Sequence, residues 1–147
     1  MPDNTFAVAF KLHTLGFSII PSGGGESGKA PIVNWMEYQQ HQPDGTELEA
    51  WQKRLKPNLW GIVTGAISGV VVVDADNAET RVAIEATGLK PHVITPRGGA
   101  HFYFKHPGHH VKTTAGLLPK IDIRGDGGYD FYNCNHRYHH NHRNVTL

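Results

Sequence analysis

Cysteine is nearly missing: Cys134 is the one cysteine in 147 residues. That excludes an intramolecular disulfide framework and fits a reducing compartment. Long apolar runs are missing too. Nothing approaches the roughly twenty residues a membrane helix needs, and no basic-then-apolar leader opens the chain. The expectation is therefore a cytoplasmic protein with no membrane contact. An excess of one charge is the third absence. With a formal net charge of +1, the chain has no global field for polyanions, so any nucleic-acid contact has to come from a local patch. No internal repeat is present, and the length suits one domain with a core of its own.

What is present begins with Gly69-Val70-Val71-Val72-Val73-Asp74-Ala75-Asp76-Asn77. Four consecutive β-branched valines read as a buried strand. Side chains alternate along a strand, so Asp74 and Asp76 leave on one face, with Cα atoms roughly 7 Å apart. Two carboxylates at the end of the most buried strand need a counter-charge, and a hard divalent cation is the usual one. Capping of the following helix by Asp76-Asn77 accounts for one of the pair at most.

Earlier in the chain, Asp3-Asn4-Thr5 offers an N-cap for a helix to about Leu15, stopped by Gly16. Phe17 to Ile20 reads as a short strand closed by Pro21. Gly23-Gly24-Gly25-Glu26-Ser27-Gly28-Lys29-Ala30 nearly spells a phosphate-binding loop. Ala30 lacks the hydroxyl that such a loop turns toward Mg²⁺, and Pro31 and its successors do not continue a helix. The stretch is read as a flexible loop from which Lys29 reaches a phosphate as a lone charge. Trp35 and Tyr38 read as packing anchors. Thr46 and Glu49 form a capping-box pattern for a helix with Leu48, Trp51 and Leu55 at helical spacing, ended by Pro57. Leu59–Val63 and Val70–Asp74 are expected to pair as an antiparallel hairpin. Ala78 to Thr87 reads as a helix ended by Gly88.

Two further segments alternate cleanly. In His101-Phe102-Tyr103-Phe104-Lys105 the phenylalanines point toward a core, and His101, Tyr103 and Lys105 point the other way. The preceding Pro96-Arg97-Gly98-Gly99 turn exposes backbone N–H groups, and Arg97 adds a bidentate donor. In Ile121-Asp122-Ile123-Arg124 the isoleucines go inward and Asp122 and Arg124 outward. If these strands neighbour the valine strand, three carboxylates and a group of cations share one face. That is the arrangement two-metal phosphoryl or nucleotidyl transfer requires.

The ordered set Gly61-Ile62-Val63-Thr64-Gly65, Val72-Val73-Asp74-Ala75-Asp76, Thr95-Pro96-Arg97-Gly98-Gly99-Ala100-His101-Phe102-Tyr103-Phe104 and Ile121-Asp122-Ile123-Arg124-Gly125-Asp126-Gly127-Gly128-Tyr129 resembles the N-terminal domain of bifunctional DNA primase/polymerases, the Prim-Pol family of the archaeo-eukaryotic primase superfamily. The similarity runs from about residue 5 to 129. It implies an α/β (α+β) fold: a mixed, largely antiparallel sheet with an RRM-like half, flanked by helices. It also implies a nucleotidyltransferase that builds or extends a primer on a DNA template in plasmid, phage or prophage replication. Its substrates would be nucleoside triphosphates, its metal Mg²⁺ or Mn²⁺, and a replicative helicase an accompanying partner. By resemblance Asp74, Asp76 and Asp122 hold metal, and His101 with Arg97 binds the triphosphate. Lys105, Arg124 and Lys29 are read as further phosphate contacts.

Residues 1–129 are read as this catalytic domain and 130–147 as a poorly ordered, His-rich tail, with the family's closing strands truncated. His136, His139, His140 and His142 fall in that tail, where a metal-binding cluster is the other reading. A remnant that binds nucleotide or DNA without turnover is the main functional rival. A rolling-circle or relaxase-type nuclease is weaker, since His140-Asn141-His142 lacks the apolar centre of its histidine pair.

Overall fold

The structure, a computed structural model, describes residues 5–132 and 137–138. Its fold class is α+β: among the described residues, three α-helices flank two antiparallel sheets. The helices are α1 (Thr5–Thr14), α2 (Gly45–Leu55) and α3 (Ala78–Glu85). The first sheet contains β1 (Ser18–Gly24), β2 (Ala30–Pro31), β3 (Leu59–Val63) and β9 (Tyr129–Tyr132), in the order β2-β1-β3-β9. The second contains β4 (Val70–Ala75), β5 (Val93–Ile94), β6 (Ala100–Lys105), β7 (Thr114–Leu118), β8 (Ile121–Arg124) and β10 (Arg137–Tyr138), in the order β10-β5-β6-β4-β8-β7.

The valine strand β4 lies in the middle of the second sheet, where continuous β-branched side chains can be buried on both faces. One face carries Val73, Ala75, Ala100 and Phe102, covered by Ile84 of α3 and by Leu89. The other carries Val70 and Tyr103, which share a core with Ile19, Ile20, Ile62 and Val63 of the first sheet. Leu48 and Trp51 of α2 and Ala9 of α1 close that core. Tyr38 is the anchor its composition suggests: it is buried, packs edge-on against Trp51, and its hydroxyl donates to Glu47. No helix among the described residues is long and apolar enough to cross a membrane.

Four expectations change. First, β3 and β4 are not a hairpin. β3 is flanked by β1 and β9 while β4 is flanked by β6 and β8, so both lack a free edge, and a lone Gly65–Val70 bridge links the segment between them. Second, the cap of α2 is Asp44, whose carboxylate accepts from the Glu47 N–H at 2.8 Å. The helix therefore begins two positions before the Thr46 capping box would start it, with Glu47 rather than Glu49 three residues past the cap. Third, β1 runs through Pro21 to Gly24. The Pro21 carbonyl accepts from Ile32 on the side of the two-residue strand β2, so the missing N–H falls at a short edge where it breaks no long ladder. Fourth, the side of β6 expected to point away from the core is itself packed, because the first sheet covers His101 and Tyr103.

The glycine-rich near-match ends as anticipated. Gly24 pairs with Ala30 in a β1–β2 hairpin, so the glycine loop leads into a strand and not a helix, and the geometry of a phosphate-binding loop is absent there.

Candidate active site

The β4 ladder assembles the site. Asp74 stands opposite His101 on β6 and opposite Asp122 on β8. Residues directly opposite in a ladder share a face, so one row carries carboxylate, imidazole and carboxylate. The next row on the same face is Val72, Tyr103 and Arg124. Arg124 leans back toward the carboxylates: its guanidinium is 3.8 Å from Asp74 and 3.4 Å from Asp122. Asp122 also accepts the Gly116 N–H at 2.7 Å, which fixes it to the neighbouring strand β7.

His101 is the buried member, with its side chain 6 % exposed. Nε2 is 3.5 Å from Asp74 and Nδ1 is 3.0 Å from Asp130. Asp130 comes from β9 of the other sheet, is 2 % exposed, and also accepts the Tyr103 hydroxyl at 2.5 Å. Burial alone would drive Asp130 toward its neutral form. The His101 charge and contact, the Tyr103 hydroxyl and the Phe131 N–H outweigh it and hold the carboxyl below the usual range. For His101 burial works against the imidazolium, yet Asp130 and then Asp74 outweigh it, and the net direction is upward. Asp74 goes the other way from Asp130. Burial raises its carboxyl, Asp130 and Asp122 raise it further, and His101 and Arg124 offset only part.

The remaining sequence-derived residues surround this cluster without entering it. Asp76 lies just past the end of β4. Its N–H donates to the Lys120 carbonyl, and its carboxylate is 73 % exposed, 4.0 Å from the Lys120 ammonium. Arg97 is exposed on the turn before β6. The Thr95 N–H bonds to the Gly99 carbonyl across that turn, and Gly99 abuts the Ala75 and Asp76 backbone. The turn thus sits at the same end of the sheet as the two aspartates. Lys105 is exposed at the far end of β6, opposite Val70 and four residues from His101, or about 13 Å along the strand. Lys29 is exposed on the β1–β2 hairpin, 5.9 Å over the Phe131 ring.

Among the described residues no three His, Cys, Asp or Glu side chains are gathered closely enough to hold a metal ion. The histidines at 136, 139, 140 and 142, read as a metal cluster or a tail, lie outside the described residues.

Sequence reasoning missed Asp130, which it placed in the tail, and gave Asp126 no role beyond a turn. The signal for Asp130 was present: after the Gly127-Gly128 turn, Tyr129-Asp130-Phe131-Tyr132 is aromatic-rich enough for a strand. Asp126 fastens the loops behind the site. Its carboxylate accepts from the N–H groups of Ala66 at 2.9 Å and Val111 at 2.8 Å and lies 3.0 Å from His106.

A family model described as bifunctional DNA primase/polymerase, N-terminal, matches residues 9–144. The chain belongs to the Prim-Pol family. The Prim-Pol match continues past residue 130 and so includes β9 and Asp130. No curated protein matches the chain. Membership places this Prim-Pol domain among primases and polymerases, a nucleotidyltransferase family that uses divalent metal and binds DNA and nucleoside triphosphates.

The donor set fits such a metal. Asp74 and Asp122 present hard carboxylate oxygens from adjacent strands. Asp76 follows on the same strand end with its carboxylate open to solvent.

Proposed function

We propose that this Prim-Pol domain is an active nucleotidyltransferase that adds nucleotides to a primer or an initiating nucleotide on a DNA template, in the replication of a plasmid, phage or prophage. The single observation that carries the reading is the row Asp122–Asp74–His101 on one face of three adjacent strands. Asp74, Asp122 and Asp76 would hold Mg²⁺ or Mn²⁺. Bound there, the metal supplies charge neutralisation for the triphosphate and for the attacking hydroxyl. His101 offers Nε2 to the triphosphate from beside Asp74, as a fixed cationic donor. Arg97, on the turn that borders Asp76, grips the outer phosphates. Arg124 balances the carboxylates, and Lys105 and Lys29 contribute longer-range attraction from the rim.

A template–primer assay with labelled nucleoside triphosphates, run with and without Mg²⁺ or Mn²⁺, tests the proposal. Metal-dependent extension that disappears in Asp74→Ala is the expected result. Extension by Asp74→Ala at the parent rate overturns the assignment. Nucleotide binding without any extension replaces it with the alternative of a binding module.

A further inference from the structure

The geometry points to Asp130 as a positioning residue for nucleotide binding: it holds His101 by Nδ1 so that Nε2 is the atom that meets the triphosphate. This rests on the functional reading given above. The contact crosses from one sheet to the other, Asp130 on β9 to His101 on β6 at 3.0 Å, with both side chains almost wholly buried. A carboxylate in that setting is retained only if its charge is met, and here the partners are His101, the Tyr103 hydroxyl and the Phe131 N–H.

The imidazole is therefore held on three sides. Asp130 Oδ2 lies 3.0 Å from Nδ1, Asp74 stands 3.5 Å from Nε2, and the backbone on either side is fixed in the ladder between β5 and β4. A histidine whose one nitrogen is committed to a carboxylate has its tautomer and ring orientation set, and its other nitrogen is aimed. Tyr103 adds a further layer. Two residues along β6 from His101, it shares the same face, and its hydroxyl reaches the same Asp130 oxygen, Oδ2, that Nδ1 approaches.

The arrangement has a sequence consequence. The segment after Tyr129, read from the sequence as the start of a tail, supplies the group placed against Nδ1 of His101. A chain ending before β9 would keep Asp74, Asp122 and His101 but leave Nδ1 without its carboxylate.

The test is a double-mutant cycle in the full chain, read by ATP and dATP binding and, where extension occurs, by KM and kcat separately. Asp130→Asn is expected to weaken nucleotide binding about tenfold or more, with KM rising more than kcat falls. His101→Ala is expected to do the same, and the double variant is expected to be no worse than His101→Ala alone. Additive losses overturn the proposal, as does Asp130→Asn binding nucleotide like the parent. Should Asp130→Asn fail to fold, Tyr103→Phe takes its place: a smaller loss that vanishes in the His101→Ala background supports the proposal, and an equal loss in that background overturns it.

A second readout needs no nucleotide. The parent is expected to show a far-downfield proton resonance coupled to His101 Nδ1, assigned by its loss in His101→Ala. Its absence overturns the assignment of Asp130. Its presence in a parent chain that binds no nucleotide overturns instead the functional reading on which the proposal rests.

Discussion

Asp74 and Asp122 face one another across the β4–β8 ladder, and a single guanidinium, that of Arg124, lies against both. That guanidinium and the neighbouring His101 offset the charge on Asp74 only in part. The Asp74 carboxyl is still pushed up, first by burial and then by its acidic neighbours Asp130 and Asp122. Neutralising Asp74 therefore relieves the fold while removing a metal donor. Asp74→Asn is expected to lower extension by about 100-fold or more while its Tm stays level or rises. Extension kinetics and thermal unfolding on one preparation check both halves. A Tm lowered by several degrees would make Asp74 a structural residue.

Removing the cation should do the reverse. Arg124→Ala leaves the facing carboxylates without a shared partner in a half-buried place, a loss of about 1–2 kcal/mol. Divalent metal can take the place of the guanidinium, and a ligand that binds only the folded state raises Tm with its concentration. The variant's Tm is expected to climb more steeply with added Mg²⁺ or Mn²⁺ than the parent's. Parallel metal dependence in thermal-shift titrations would separate Arg124 from the metal-binding face.

The contents of that face were legible because strand periodicity is local information. The valine run located β4, and parity alone put Asp74, His101, Asp122 and Arg124 on matching sides of their strands. Parity does not say what packs over a face, and there the reading ran out. It put His101 on the side away from the phenylalanine core, but β9 of the other sheet packs over that side and buries the ring. Asp130 was invisible for the same reason, since its partner lies 29 positions earlier and in the other sheet. The assumed β3–β4 hairpin failed on another point: a short glycine-containing link is equally good at crossing between sheets. Lys105 and Lys29 were added as second-rank cations, and charge on an exposed residue carries no information about distance from a site.

Acid sensitivity should have a recognisable source in Asp126. Partial burial works against its charge, but His106 and the N–H groups of Val111 and Ala66 prevail and lower its carboxyl from 3.8 to about 2. A folded-state value below the unfolded one means the stabilisation is fully present above the unfolded value. It is lost as pH falls from near 4 toward 2. The size is on the order of 1 kcal/mol after allowance for solvent screening. Asp126→Asn is expected to be less stable at neutral pH and to lose less on going from pH 5 to pH 2. Denaturant unfolding at the two pH values measures this, and equal pH slopes would remove Asp126 from the account.

The turn that carries Arg97 is tied to the aspartates by a close approach of backbone to backbone. A Cβ on Gly99 would sit 2.3 Å from the Ala75 carbonyl oxygen and 3.0 Å from the Asp76 carbonyl carbon. Both neighbours are main chain at the end of β4, so no flexible side chain can yield, and the turn or the strand end has to move. Ala75 and Ala100 are fully buried opposite one another beside this contact, which makes the displacement costly in packing as well. Gly99→Ala is expected to lose about 2–3 kcal/mol of stability and to weaken nucleotide binding, since Arg97 and Asp76 would part. Gly108→Ala is the matched control. Gly108 has φ +92° and nothing within 4 Å, so alanine there strains the backbone by about 1 kcal/mol without touching the site. Denaturant unfolding and nucleotide titration of the two variants separate crowding from strain. Equal effects at both positions would mean that the Arg97 turn and the tip of β4 move independently, and Arg97 would then have no fixed distance to the metal-binding end of the sheet.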